Sequence, residues 1–125
     1  MEKFILDSFK GELIFNSDDF RLEIIPNLDI DKQNNEESIL NNLVKNYQSV
    51  STKKLSGNII HNKNSFYISK VNGFDKNSKT YFSDLIFKDS NENFFQIKIN
   101  CKNRMKRNNL EKMITNDLDN YEFCI

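Results

Sequence analysis

Few side chains in this chain are suited to covalent or proton-transfer chemistry. There is one histidine, His61, and there are two cysteines, Cys101 and Cys124. A general base needs an imidazole with a partner that holds its tautomer. His61 stands at the mouth of a hairpin, "IIHNKNSFYI", where a turn residue is expected instead. A Cys–His pair could draw on either thiol, but no family signature surrounds them and their spacing fits no metal site. Carboxylates come in pairs at Asp18/Asp19, Asp29/Asp31, Glu36/Glu37 and Asp117/Asp119. Acid–base catalysis needs two such groups in one cleft with separated pKa values. Neighbours on an extended chain point to opposite faces, which parts Asp18 from Asp19. Glu36 and Glu37 suit the positive end of a helix. The stretches "DKNSK" and "DSNEN" offer oxygen ligands but lack the mid-loop glycine and closing glutamate of a calcium loop. We therefore expect no catalytic residue, no metal and no cofactor, and a non-enzymatic function. A small hydrolase whose site these residues do not reveal is an alternative.

The basic stretch "CKNRMKRNNLEKM" remains. Lys102, Arg104, Lys106 and Arg107 put four of the eighteen basic residues within six positions. One reading is a solvated strand-to-helix turn, with Asn108 or Asn109 capping the helix. A second is a phosphate contact, although no glycine-rich cradle supplies backbone donors, and a third is an acidic protein partner. Single-stranded RNA would also need exposed rings among the bases, for which Phe94 and Phe95 are the nearest candidates.

The elements that must position these residues follow from periodicity. "GELIFNSDDFRLEII" reads as two strands joined at Asn16–Asp19, since Phe20, Leu22 and Ile24 alternate with Arg21 and Glu23. Pro26 ends the second strand. In "NNEESILNNLVKNYQSV", Ile39, Leu40, Leu43, Val44, Tyr47 and Val50 fall on one helical stripe, with Asn34 placed to cap. Four strands follow, "SGNIIH", "SFYISKV", "TYFSDLIFK" and "NFFQIKIN", separated by turns too short for parallel crossovers. Leu110, Met113, Ile114, Leu118 and Tyr121 then predict a helix ending near Phe123. The order β-β-α-β-β-β-β-α describes one α+β domain, residues 1–125, with an antiparallel sheet of about five to six strands and two helices.

Composition narrows the class. Eighteen acidic and eighteen basic residues cancel, against a general polyanion binder, but residues 1–40 carry −6 (4 − 10) and residues 41–125 carry +6 (14 − 8). Alanine and tryptophan are absent and asparagine occurs twenty times, the bias of AT-rich codons and of a bacterial genome rich in them. Asp7, Lys10 and Glu12 interrupt any signal-like apolar run, and no stretch reaches the ~20 apolar residues of a membrane span. A reduced, cytoplasmic setting is expected.

The segment "IIPNLDI", the helix "EESILNNLVKNYQSV" and the strands beginning "SGNIIHNKNSFYISKVNG" resemble the PsbP/Mog-type α+β fold. That superfamily includes DcrB-like proteins and the Eag-type chaperones of secretion effectors. The resemblance spans roughly Leu13 to Phe123. It implies a protein-binding module that offers a sheet face or edge to an effector, a toxin or a second copy of itself, as a chaperone, adaptor or immunity protein. On the residues themselves, Phe66, Tyr67, Tyr81, Phe82, Phe94 and Phe95 place rings on both sheet faces, more than two helices on one face would hide. These six form the expected protein-contact surface, and a homodimer is one form it could take. A nucleic-acid partner at Lys102, Arg104, Lys106 and Arg107 is the less favoured alternative.

Overall fold

The computed structural model describes residues 3–5, 13–26, 28–30, 35–61, 67–88, 93–117 and 122–124. The elements are β1 (Lys3–Ile5), β2 (Leu13–Asn16), β3 (Phe20–Ile25), α1 (Glu36–Gln48), β4 (Gly57–His61), β5 (Tyr67–Asp75), β6 (Thr80–Lys88), β7 (Phe94–Cys101), α2 (Arg104–Asp117) and β8 (Glu122–Cys124). Strands β2 to β7 form one antiparallel sheet in the order β2-β3-β7-β6-β5-β4, so the chain is α+β. Its six strands and two helices follow the expected order. Strands β1 and β8 add a separate antiparallel pair.

The two helices lie on opposite faces. Alternation along β6 sends Leu85 and Phe87 into one cluster and Phe82 and Ile86 into the other. The larger cluster joins Leu22, Ile24, Ile97, Ile99 and Phe95 to Leu110 and Ile114 of α2. Each such aliphatic side chain contributes about 1.5–3 kcal/mol on full burial. The smaller cluster places Leu43 of α1 and Leu55 against Val71 and Phe82, with Tyr47 stacked on Phe82 at 4.4 Å between centroids. Helix α1 packs on β4 and β5, so the β2-β3-β7 half of its face stays outside that cluster. It carries Arg21, Glu23, Gln96, Lys98 and Asn100, with Arg21 and Glu23 paired at 3.0 Å.

Several boundaries differ from the periodicity reading. Asn35, not Asn34, caps α1, its Oδ1 accepting from the Ser38 N–H at 2.8 Å; Asn34 is outside the described residues. Asn103 opens α2 by accepting from the Lys106 N–H at 3.1 Å, five residues before the expected Asn108. Helix α2 ends at Asp117, and Glu122–Cys124 forms a strand where a helix was expected. Leu118 and Tyr121 fall outside the described residues. Strand β5 runs through Asn72 and Gly73, and the turn is confined to Lys76–Lys79. There the Asp75 Oδ1 accepts from the N–H groups of Asn77 and Ser78, and Lys79 takes a left-handed φ of 57°.

Candidate functional site

Strand β4 pairs with β5 only up to Val71, so among the described residues the edge of β5 away from β6 has no strand neighbour from Asn72 to Asp75. The α1–β4 connection fills part of this space. Gln48 clamps it, donating from Nε2 to the Lys53 carbonyl at 3.0 Å and accepting from the Leu55 N–H at 2.9 Å. The Lys76 N–H donates to the Val50 carbonyl, tying the connection to the β5–β6 turn. Leu55 approaches Gly73 so closely that a Cβ there would lie 2.9 Å from its Cδ2. Between this connection, the end of the β5–β6 hairpin and the first turn of α2 lies a cleft of about 510 Å³.

Its wall is cationic. Lys53, Lys54, Arg104 and Arg107 line it together with Ser51, Thr52, Ser56, Asn72, Phe74 and Tyr81, and among the described residues no carboxylate does. Arg107 is only 6% exposed. Its Nη1 donates to the carbonyls of Gly73 at 3.2 Å and Phe82 at 2.9 Å, its Nε to Asn108, and its guanidinium lies 5.9 Å from the Tyr81 ring. Burial lowers its pKa while Glu111 opposes the shift. Arginine stays charged in such settings. Arg104, Lys106 and Arg107 occupy the first turn of α2, which contains no acid. Cations there oppose the helix dipole, typically by 0.3–1 kcal/mol each. The acid whose charge acts on Arg107 is Glu111, and its carboxylate is engaged by Lys70, Ser83 and Asn72, while that of Asp75 is engaged by the β5–β6 turn.

Two buried polar groupings support this end of the molecule. Glu111 accepts from Lys70 Nζ and Ser83 Oγ at 2.5 Å each and from Asn72 Nδ2 at 3.2 Å. Burial alone would raise its carboxyl, but the bonds from Lys70, Ser83 and Asn72 prevail and hold it below the ordinary value. On the other face Asp84, 1% exposed, accepts from the Tyr47 hydroxyl and from Gln96 Nε2 at 2.9 and 3.0 Å. Here burial wins over these bonds and over Lys98, and the carboxyl is raised. Burial and Asp84 together raise the Tyr47 phenol.

Half of the expected ring surface is buried. Phe82, Phe94 and Phe95 are 2%, 2% and 4% exposed; Phe82 and Phe95 are covered because each sheet face has a helix of its own instead of both sharing one, while Phe94 belongs to neither cluster. Tyr81 is half-buried and lines the cleft. Tyr67 opens β5, and Phe66 lies outside the described residues. The basic patch divides as helical geometry requires. Arg104 and Arg107, three apart, share the cleft. Lys106 lies over the Phe20 ring at 5.4 Å, and Lys102 lies beside Asp19. Sequence reasoning missed Lys53, Lys54 and Phe74, which reach the cleft only through tertiary packing. The lysine pair and the unpaired ring were the available signals.

The residues weighed for chemistry are dispersed. His61 ends β4 and Cys124 ends β8. Cys101 is buried, and burial raises its thiol against the pull of Lys106 and Arg107. Asp18 and Asp19 are exposed in the β2–β3 turn, Asp29 is exposed, and Glu36 and Glu37 open α1. Asp117 ends α2, while Asp31 and Asp119 are outside the described residues. Among the described residues no group of three or more His, Cys, Asp or Glu could hold a metal ion, and no helix is long and apolar enough to cross a membrane. Comparison with protein-family models, curated proteins and solved structures gives no match.

Proposed function

We propose that this chain is a non-enzymatic binding module whose partner is a phosphate-bearing polyanion, held at the cleft beside the start of α2. The observation that carries the reading is the composition of the wall: four cations converge, and among the described residues no carboxylate lines the cleft. Such a grouping is uphill for an isolated fold, because like charges repel and the helix dipole adds to the repulsion. A bound anion relieves both. The protein-contact reading has lost Phe82, Phe94 and Phe95 as reachable rings, so it no longer has the stronger support.

The test is anisotropy of a labelled oligouridylate titrated with the protein across a salt series. Four phosphate contacts on a single strand give a slope of about −3 in log K against log salt. Replacing Lys53 and Lys54 together by Gln removes two contacts and about half of that slope. Absence of binding at low salt, or a slope that the double variant leaves unchanged, overturns the proposal.

A further inference from the structure

We infer that the cleft receives one nucleotide of a single-stranded nucleic acid, its base against Phe74 and Tyr81 and its phosphates on Arg104, Lys53 and Lys54. This rests on the polyanion reading and names the partner's class. The cations alone do not distinguish a nucleic acid from any other polyanion; the rings do. Phe74 is 39% exposed, and among the described residues the other large hydrophobics left so open are Ile14 and Met105. It meets Tyr81 edge-on, centroids 4.9 Å apart at 64°, with both rings in the cleft wall. A ring kept in water beside four cations has no part in either hydrophobic cluster. Every base presents a π face to such a ring, and stacking is worth ~1–3 kcal/mol per base. An acidic peptide would use the cations and leave the ring idle.

The dimensions agree. About 510 Å³ lies within the ~300–1,000 Å³ of small-ligand sites, enough for a nucleotide and too little for a duplex. Arg107 adds a donor. Among the described residues its Nη2 makes no hydrogen bond, although the side chain is buried in the cleft wall. Its Nη1 bonds to the Gly73 and Phe82 carbonyls fix the guanidinium against the strands that carry Phe74 and Tyr81.

The experiment compares an oligouridylate with inorganic polyphosphate of equal charge and with polyglutamate, on the full chain and on Phe74→Ala. The chain has no tryptophan, so Phe74→Trp provides a single emitter at the stacking position. We expect Phe74→Ala to weaken the oligouridylate about tenfold with its salt slope unchanged, and to leave polyphosphate binding alone. Phe74→Trp should restore affinity, and its emission should be quenched by the oligouridylate but not by polyphosphate. The inference is overturned, with the polyanion reading intact, if Phe74→Ala stays within twofold of the parent and polyphosphate binds equally well. Tighter binding of polyglutamate than of the oligouridylate overturns it in favour of an acidic protein. Failure of all three polyanions to bind overturns both readings.

Discussion

Removal of the Glu111 carboxylate tests how α2, and with it the cleft, is fixed to the sheet. Glu111 is 8% exposed and accepts from three donors: Lys70, Ser83 and Asn72. Glu111→Leu leaves the Ser83 hydroxyl, 1% exposed, without its acceptor. It also strands the Lys70 ammonium, whose side chain is 16% exposed, beside apolar neighbours. An unsatisfied buried hydroxyl costs about 1–3 kcal/mol and breaking a buried ion pair about 3–5 kcal/mol. These overlap, because the same carboxylate serves both, so the expected loss is about 3–5 kcal/mol. For a chain of this length that lowers Tm by roughly 10–20 °C. Urea unfolding followed by far-UV circular dichroism measures it, with an unchanged m value marking an intact native state. Adding Lys70→Met removes the stranded cation and should recover most of the loss, since an apolar pair can replace a buried ion pair at little cost. A loss below about 1 kcal/mol for Glu111→Leu, or no recovery in the double variant, refutes the reasoning.

Two further substitutions probe the other supports. Asp84 has a folded pKa raised above its ordinary 3.8, so it stabilises the fold below that value and the contribution is lost as pH rises through the folded pKa. The unfolding free energy of Asp84→Asn minus that of the parent should therefore increase with pH from about 4 upward, and a difference constant with pH contradicts this. Glu111 has the opposite sign, its contribution being lost as pH falls through its lowered pKa. Asn103→Ala removes the side-chain cap of α2 and should cost about 1 kcal/mol, or roughly 3–6 °C in Tm. Thermal unfolding checks this, and an unchanged Tm would place the start of α2 elsewhere.

What the sequence made legible was whatever has a local period. Phe20, Leu22 and Ile24 announced β3 by alternation, and Ile39 and Leu43 announced α1 by helical spacing; both elements form there and bury those residues, Phe20 in part. The four strands after α1 were legible for the same reason, and their short connections fixed antiparallel pairing. Caps and turns were less so. With Asn at 34 and 35, and again at 103, 108 and 109, the chain offers several equivalent caps. Only the packing of Leu110 and Ile114 on the sheet selects Asn103. β8 was illegible because its pairing partner, β1, is more than a hundred residues away.

The largest displacement between sequence and structure concerns the site, and its cause is one topological choice. A connection that puts α2 on the face opposite α1 covers Phe95 with α2 and leaves Phe82 to α1. The same choice carries the first turn of α2 over the end of β5 that β4 does not reach, where Arg107 reaches the carbonyls of Gly73 and Phe82. Rings that looked available are thereby buried, and cations that looked like a solvated turn converge with Lys53 and Lys54 from the far side of α1. Phe74 escapes burial because β4 stops at Gly57, opposite Val71, so that among the described residues a strand lies beside it on the β6 edge alone. The exposed ring and the cation cluster thus share one origin in the short edge strand. Lengthening β4 by design, so that it pairs past Val71, should close the cleft and abolish both polyanion binding and the response of Trp at position 74. Retention of either in such a variant would separate the ring from the cations and show that the cleft is not one site.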